Sequence, residues 1–295
     1  MFKIVKNVDK WLFFIGGELL ILPIIFAKLT RKPAILLFAG CLLDQSTLSQ
    51  SKLQKMWMKS AIYFTSKLNR VLCNKLVVYS PKLISEWNLE PYRHKILIAH
   101  EHFLDFETFT TTIPMPDRPR RIGYIGRLSK EKGIENFVRS LPAILSNQQD
   151  HHVLIGGDGE LNETIEASLQ EEGITDRVDL PGWISHDDLS KYLNQLRLLV
   201  LPSYTEGLPN IVLEAMACGT PVLATPVGAI PDIIVDGKTG FIMENNSPEC
   251  IAANIIRALN SPELELIAEN GRRFVEENFS FESTIVQWKE VLEEI

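Results

Sequence analysis

Residues 201–240 read LPSYTEGLPNIVLEAMACGTPVLATPVGAIPDIIVDGKTG, and their alternation of apolar runs with proline and glycine decides the fold. The run Arg197 to Leu201 has the composition of a buried parallel strand, and Pro202 with Ser203 ends it. A polar loop, Tyr204 to Leu208, follows. Pro209 suits the first turn of a helix, where no amide N–H is needed, and Gly219 suits the left-handed residue just past a helix end. The sequence therefore predicts a helix over 209–218. Strand, loop, helix and a second apolar run reaching Thr225 make up the repeating unit of a parallel α/β sheet. Ligands of such sheets lie beyond the carboxyl ends of the strands. The unpaired helix amides near Asn210 and Ile211 thus face the crevice, and an anion belongs there.

Two carboxylates frame that helix start, Glu206 in the loop and Glu214 within the helix. Their spacing alone carries little weight, because Glu163/Glu171, Glu269/Glu277 and Glu282/Glu290 repeat it. Context separates them. Glu214 lies between Leu213 and Ala215 in an apolar helix, where an unpaired carboxylate is costly. It needs a hydrogen-bonding partner, either as a structural ion-pair group or as a ligand contact.

With 295 residues, 45% of them apolar, the chain is long enough for two domains with separate cores. A formal charge of −7 and an isoelectric point near 5.5 argue against nucleic acid as the main partner. Cys41, Cys73, Cys218 and Cys250 lie far apart with no CxxC spacing, so neither a zinc site nor a disulfide framework is implied and the cytosol is the expected setting. The apolar stretch Trp11 to Leu29, preceded by Lys3, Lys6 and Lys10, approaches the length of a membrane span, but Glu18, Gly16, Gly17 and Pro23 interrupt it. A strand over 11–15, a glycine turn and a helix over 18–29 are expected, an anchor or signal segment being the alternative.

Further strands are expected at 33–38, ending at Ala39 and Gly40, at 76–79 and at 95–99, with helices over 46–72 and 82–88. The lysines between Lys52 and Lys75 read as a solvated helix face, with peripheral contact to an anionic membrane as the alternative. His100 and His102 have no accompanying ligand cluster and read as surface loop histidines rather than a metal pair. The stretch TTTIPMPDRP, 110–119, is proline-rich and aperiodic and marks an interdomain linker, placed at 114–119 between domains 1–113 and 120–295.

In the second domain strands are expected at 122–125, 153–155 and 178–180. Helices are expected over 134–145, 160–172 and 187–194, the last capped by Ser185 with Asp187. Three more helices, near 248–259, 262–277 and 281–294, finish the chain. The GGDG turn lacks the third glycine of a dinucleotide fingerprint, so nicotinamide or flavin binding is unsupported and a compact strand-to-helix turn is the preferred reading. Strand ends at Gly126, Gly156, Ser203 and Thr225 emerge on one edge, which collects Arg127, Lys132, Glu206, Glu214 and the free helix start. Either cation alone reads as a solvated loop charge. Together, two cations and helix amides suit a diphosphate while carboxylates accept from hydroxyls, and the composite ligand is a nucleotide-diphosphate sugar.

The segment EGLPNIVLEAMACGTPVLATPVGAIPDII, followed by DGKTGF, resembles the signature region of the family 4 glycosyltransferases, a retaining group built on the GT-B fold. GRLSKEKG (126–133), GGDGE (156–160) and LPGWIS (180–185) extend the resemblance densely over 120–295, and it is much weaker before residue 120. It implies an α/β fold of two Rossmann-like domains with parallel sheets, the first incomplete, with the last helix packing back on the first domain. It also implies sugar transfer from a nucleotide-diphosphate-sugar donor to a glycan or lipid-linked acceptor, by front-face attack, with no metal or other cofactor. On that resemblance Arg127 and Lys132, beside Gly126, would hold the diphosphate and stabilise the leaving charge, and Glu206 would contact the donor sugar. These are the candidate catalytic residues. Glu214 would take the ribose hydroxyls, and the backbone of Gly207, Leu208, Pro209, Asn210 and Ile211 the sugar and distal phosphate. Trp183 and Ile184 would lie along the base. Two departures stand out: Ala39 occupies the place where the family often has a histidine, and Asp232 stands where glutamate is usual. The competing reading is a non-catalytic nucleotide-sugar-binding subunit that needs a partner supplying a complete amino-terminal domain.

Overall fold

A computed structural model of the chain describes residues 8–14, 21–38 and 52–294, with 52–59 described for their backbone alone. The chain divides into two compact units, residues 1–101 with 284–295 and residues 102–283. Each is built on its own parallel sheet.

The first sheet is formed by Trp11–Phe13 (β1), Ala34–Phe38 (β2), Lys75–Val78 (β3) and Ile96–Ile98 (β4), in the order β1-β2-β3-β4. All its pairings are parallel, with Leu36 opposite Leu76 and Phe38 opposite Val78. β2 is buried along its whole length, the burial expected where helices separate successive parallel strands. Helices Ile21–Leu29 and Lys52–Leu72 supply those connections, and Ile24 packs with Leu36, Cys73 and Leu76. In a second cluster Phe38 and Val78 meet Ile84 and Leu89. The expected start of the first helix at 18, the Gly16–Gly17 turn, Ala39, Gly40, Cys41 and positions 46–51 lie outside the described residues. Among the described residues no helix is long and apolar enough to cross a membrane.

The second sheet has six strands: Arg121–Ile125 (β5), His152–Gly156 (β6), Val178–Gly182 (β7), Leu198–Leu201 (β8), Val222–Ala224 (β9) and Phe241–Ile242 (β10). Their order is β10-β9-β8-β5-β6-β7. The chain winds outward from β5 through β6 to β7, then returns to pair β8 against the other side of β5, with Ile122 opposite Leu198. The order reverses between β5 and β8. Loops leaving the carboxyl ends of those two strands diverge to opposite faces and open a crevice there. The core beneath it joins Ile122, Tyr124, Phe137, Ile155, Val200 and Ile255, among others.

Two expectations need correction. Residues 114–119 lie within the second unit rather than between units. Their proline-rich composition imitates a linker, but Arg118 is 3% exposed and ties the segment down through four acceptors: the carbonyls of Ile113, Leu196 and Cys218 and the hydroxyl of Thr220. Burial pulls its guanidinium down to about 10, still charged at neutral pH. His100 is buried at 6% exposure, not a surface residue, and the Trp288 indole of the last helix, Phe281–Glu293, donates to its carbonyl at 3.0 Å.

Candidate functional site

The β5 side of the crevice is assembled from short backbone contacts, and the Tyr204 amide crosses to it from the loop after β8, donating to the Glu131 carbonyl at 2.9 Å. Gly126 donates to the Gly156 carbonyl at 3.0 Å, Leu128 to that of Asp158 at 2.9 Å, and Gly157 to that of Gly182 at 2.7 Å, so the loops after β5, β6 and β7 are stitched together. Gly157 has φ +135°, and a Cβ there would stand 1.9 Å from the Gly126 carbonyl oxygen. The GGDG segment is thus a compact turn, as its composition suggested, and its aspartate closes it by accepting from the Gly159 amide at 2.7 Å and the Asn162 side chain at 2.8 Å.

Across the crevice, Lys132 from the loop after β5 meets Glu206 from the loop after β8. The ammonium lies 2.8 Å from Oε1 and 2.9 Å from Oε2, and the Ser203 hydroxyl donates to Oε1 at 2.7 Å. The Glu206 side chain is 6% exposed against 27% for Lys132. A charge this buried requires such partners. Ser203 is itself anchored, its carbonyl accepting from the Thr225 hydroxyl at 2.6 Å at the end of β9. A carboxylate offers about four acceptor positions. Three are occupied here, which leaves capacity on Oε2 for a hydroxyl.

The helix that follows is Asn210–Ala217, with Pro209 as its extended N-cap at ψ 114° and Gly219 left-handed at φ +66°. Pro209 was expected one position further in. Its missing N–H is harmless at either place. The Val212 amide turns back to the Pro209 carbonyl at 3.1 Å. The amides of Asn210 and Ile211, which helix geometry leaves without intrahelical acceptors, stay available to a ligand.

Glu214, 6% exposed, has its partner in His186, whose Nε2 is 3.4 Å from Oε1. Burial pushes its carboxyl above the ordinary value, and the neighbouring imidazole opposes that shift. His186 opens helix His186–Leu193, capped by the Ser185 hydroxyl accepting from the Asp188 amide at 3.2 Å, and its ring packs edge-on against Phe109 at 5.2 Å.

The structure brings Lys132 onto Glu206, next in sequence to Gly207 and shortly before the helix start, while Gly126 packs on Gly156 and Gly157. Arg127 is not drawn into that contact: its side chain is 71% exposed and lies 3.5 Å from Glu131. Trp183 is 74% exposed beyond β7. Ile184 packs over Gly156, where a Cβ would come within 2.3 Å of its Cδ1. Sequence reasoning named Ser203 as a strand end alone and did not single out His186 or Gly228. Gly228, at φ +59°, supports the Glu206 loop, and a Cβ there would fall 2.3 Å from the Glu206 carbonyl oxygen. Its neighbour Ala229 donates to the Gly207 carbonyl at 2.8 Å.

Two units on parallel sheets, with a carboxylate–lysine contact at the switch point of the second, define an α/β protein of the GT-B class. The HepE protein of Anabaena, solved in complex with UDP, shares the fold at TM-score 0.80 and 16% identity, over 99% of this chain and 81% of that one. The chain belongs to the family of glycosyl transferases group 1, whose sequence profile matches residues 105–274. The capsular polysaccharide biosynthesis glycosyltransferase CapM of Staphylococcus aureus is 35% identical over 172 residues, 58% of this chain and 44% of that one. The carboxy-terminal domain of LpcC, a glycosyl transferase group 1 protein of Francisella tularensis, matches 60% of this chain over 99% of its own length, at 26% identity and TM-score 0.55. The chain spans about half the length of the curated relatives it matches.

Proposed function

We propose that this chain is a retaining glycosyltransferase that moves a sugar from a nucleotide-diphosphate-sugar donor to a glycan or lipid-linked acceptor. The observation that carries this reading is the buried Lys132–Glu206 contact at 2.8 Å, set beside the start of helix Asn210–Ala217 at the switch point. Lys132 and the helix amides form a fixed positive site for a diphosphate, and the remaining Oε2 capacity of Glu206 accepts from a sugar hydroxyl. Glu214 accepts from ribose hydroxyls, and Trp183 with Ile184 offers an apolar ledge for the base. Arg127, whose long exposed side chain rises from the same loop as Lys132, adds its charge as the leaving diphosphate develops its own.

In this reading bond breaking is assisted electrostatically rather than by a nucleophilic carboxylate. The acceptor hydroxyl attacks on the face from which the diphosphate departs. A leaving phosphate oxygen takes its proton, and the anomeric configuration is kept. Lys132 and Arg127 perform the charge neutralisation that a divalent ion supplies in other transferases.

The test is turnover by the full chain with UDP-, GDP- and ADP-sugars and lipid or glycan acceptors. Transfer is expected to survive EDTA, and NMR of the product should show the donor's anomeric configuration. Activity lost to chelation and restored by manganese would remove the metal-free reading. An inverted product would remove the mechanism, and donor binding without any transfer would reduce the chain to a binding module.

A further inference from the structure

The first unit carries an open cleft of about 400 Å³ at the amino edge of its sheet, lined by Lys28, Arg31, Lys32, Asn74, Lys75 and Glu294 among others. Four cations converge there with one carboxylate, and Glu294 is already paired with Lys75 at 2.8 Å. Among the described residues, no acidic side chain is bonded to Lys28, Arg31 or Lys32.

Arg31 is held in place at a conformational cost. It ends helix Ile21–Leu29 with its amide on the Lys28 carbonyl at 3.0 Å, while Lys32 donates to the Ala27 carbonyl at 3.0 Å. This is the helix-ending motif whose left-handed position ordinarily takes glycine. Here that position is an arginine at φ +56°. An outlier kept by a charged residue at the mouth of a cationic cleft points to a role for the charge.

The sequence around the cleft is polarised. Residues 19–85 contain ten lysines and arginines and one acid, Asp44, in a chain whose formal charge is −7. The same helix also exposes an apolar stripe: Leu22 is 75% exposed, Ile25 37% and Leu29 78%, at positions i, i+3 and i+7, while Ile24 and Ala27 on the opposite face are buried. Helix Lys52–Leu72, which packs against it, exposes Tyr63, Phe64, Lys67 and Val71 along one of its own faces. A free anion would use the cations and gain nothing from exposed leucines. A bilayer with anionic headgroups uses both.

We propose that the cationic cleft and the Leu22–Ile25–Leu29 stripe form a docking surface for an anionic phospholipid membrane, with headgroup phosphates in the cleft and the leucines among the first acyl carbons. The chain would thereby lie on the bilayer without crossing it. Membrane contact was the alternative reading of the lysines between Lys52 and Lys75, and the cleft, of whose cations Lys75 alone belongs to that stretch, and the apolar stripe support it independently. The proposal does not rest on the donor reading, whose residues all belong to the second unit.

The experiment is co-sedimentation of the full chain, with no nucleotide sugar present, on phosphatidylcholine vesicles with and without about one third phosphatidylglycerol. Binding is expected on the anionic vesicles alone. Each cation removed should weaken it about fivefold, so Lys28→Gln, Arg31→Gln and Lys32→Gln combined should weaken it about a hundredfold. Arg31→Gly alone should weaken binding about fivefold while Tm rises, because glycine relieves the left-handed residue, so a folding defect cannot imitate the result. Leu22→Ser with Leu29→Ser should lower affinity with the salt dependence retained. Removing three exposed cations of the second unit, Arg139, Lys191 and Lys238, should leave affinity unchanged. The proposal is overturned by equal binding to neutral vesicles, by no binding to either, or by equal loss in that control. It also falls if duplex DNA is bound in preference to the vesicles.

Discussion

At Glu214 the same burial acts on ligand binding and on stability with opposite signs. Desolvation raises its carboxyl above the ordinary 4.5, and His186 pulls it part of the way back. In the proposed role the ionised form is the better acceptor for ribose hydroxyls, so donor affinity should fall as pH drops through the folded-state value. Stability runs the other way. Because the folded value is the higher one, the contribution of the neutral acid is fully present below 4.5 and is lost as pH rises through the raised value. Glu214→Gln should flatten both profiles and weaken donor binding by about 1.5 to 3 kcal/mol, the worth of a charge-assisted hydrogen bond. Calorimetry and thermal melts across pH measure the two effects, and unchanged donor affinity would leave Glu214 a structural ion-pair group. That it needed a partner was legible from its apolar helix. Which partner was not, because His186 is 28 positions away in sequence and meets it through helix packing.

Among the elements, long ones with clear punctuation were readable and short ones were not. Helix Pro248–Leu259 starts and ends where its cap and periodicity put it, with the Ser247 hydroxyl accepting from the Cys250 amide at 3.2 Å. The turn of helix at Ile230–Ile233, the two residues of β10 and the tight helix Glu90–Lys95 are too brief to show a period, and tertiary contacts define them. Loop geometry was equally hidden, and two glycines separate its causes. Gly173, at φ +66°, has open space where a side chain would go, whereas Gly228, at φ +59°, would set a Cβ 2.3 Å from the Glu206 carbonyl oxygen. Gly173→Ala should therefore cost only backbone strain, about 1 to 2 kcal/mol, with donor affinity intact. Gly228→Ala should add a steric clash of about 1 to 3 kcal/mol and displace the loop that carries Glu206. Urea denaturation and donor titration on the pair test this, and an unimpaired donor site in Gly228→Ala would show that the loop is not held from that side.

For the whole molecule, the parallel α/β class and the residues gathered at the switch point could be read from punctuation and motif, while the extent of each unit could not. Composition placed a boundary at the proline-rich stretch 114–119, but residues 102–119 belong to the compact second unit. The Asn194 side chain, 1% exposed, accepts from the Thr112 amide at 2.7 Å and donates to the Thr110 carbonyl at 2.9 Å, so this segment fills a buried polar position at the end of helix His186–Leu193. Leu104 likewise donates to the Phe279 carbonyl at 2.9 Å, joining the two ends of the unit. Two fragments follow from this, residues 102–283 and residues 117–283, and both contain every proposed donor-side residue. The longer should fold cooperatively and bind a nucleotide-diphosphate sugar. The shorter leaves the Asn194 side chain only the Ser190 carbonyl, at 2.9 Å, its carbonyl oxygen losing the Thr112 amide at a cost of about 1 to 3 kcal/mol, and should melt lower or fail to fold. Asn194→Ala in the longer fragment removes those contacts, and the one to Ser190, without shortening the chain, and should reproduce much of that loss while donor affinity per folded molecule stays the same. Equal melting of the two fragments would show that residues 102–116 pack on the unit without supporting it, and would return the functional boundary to the proline-rich stretch.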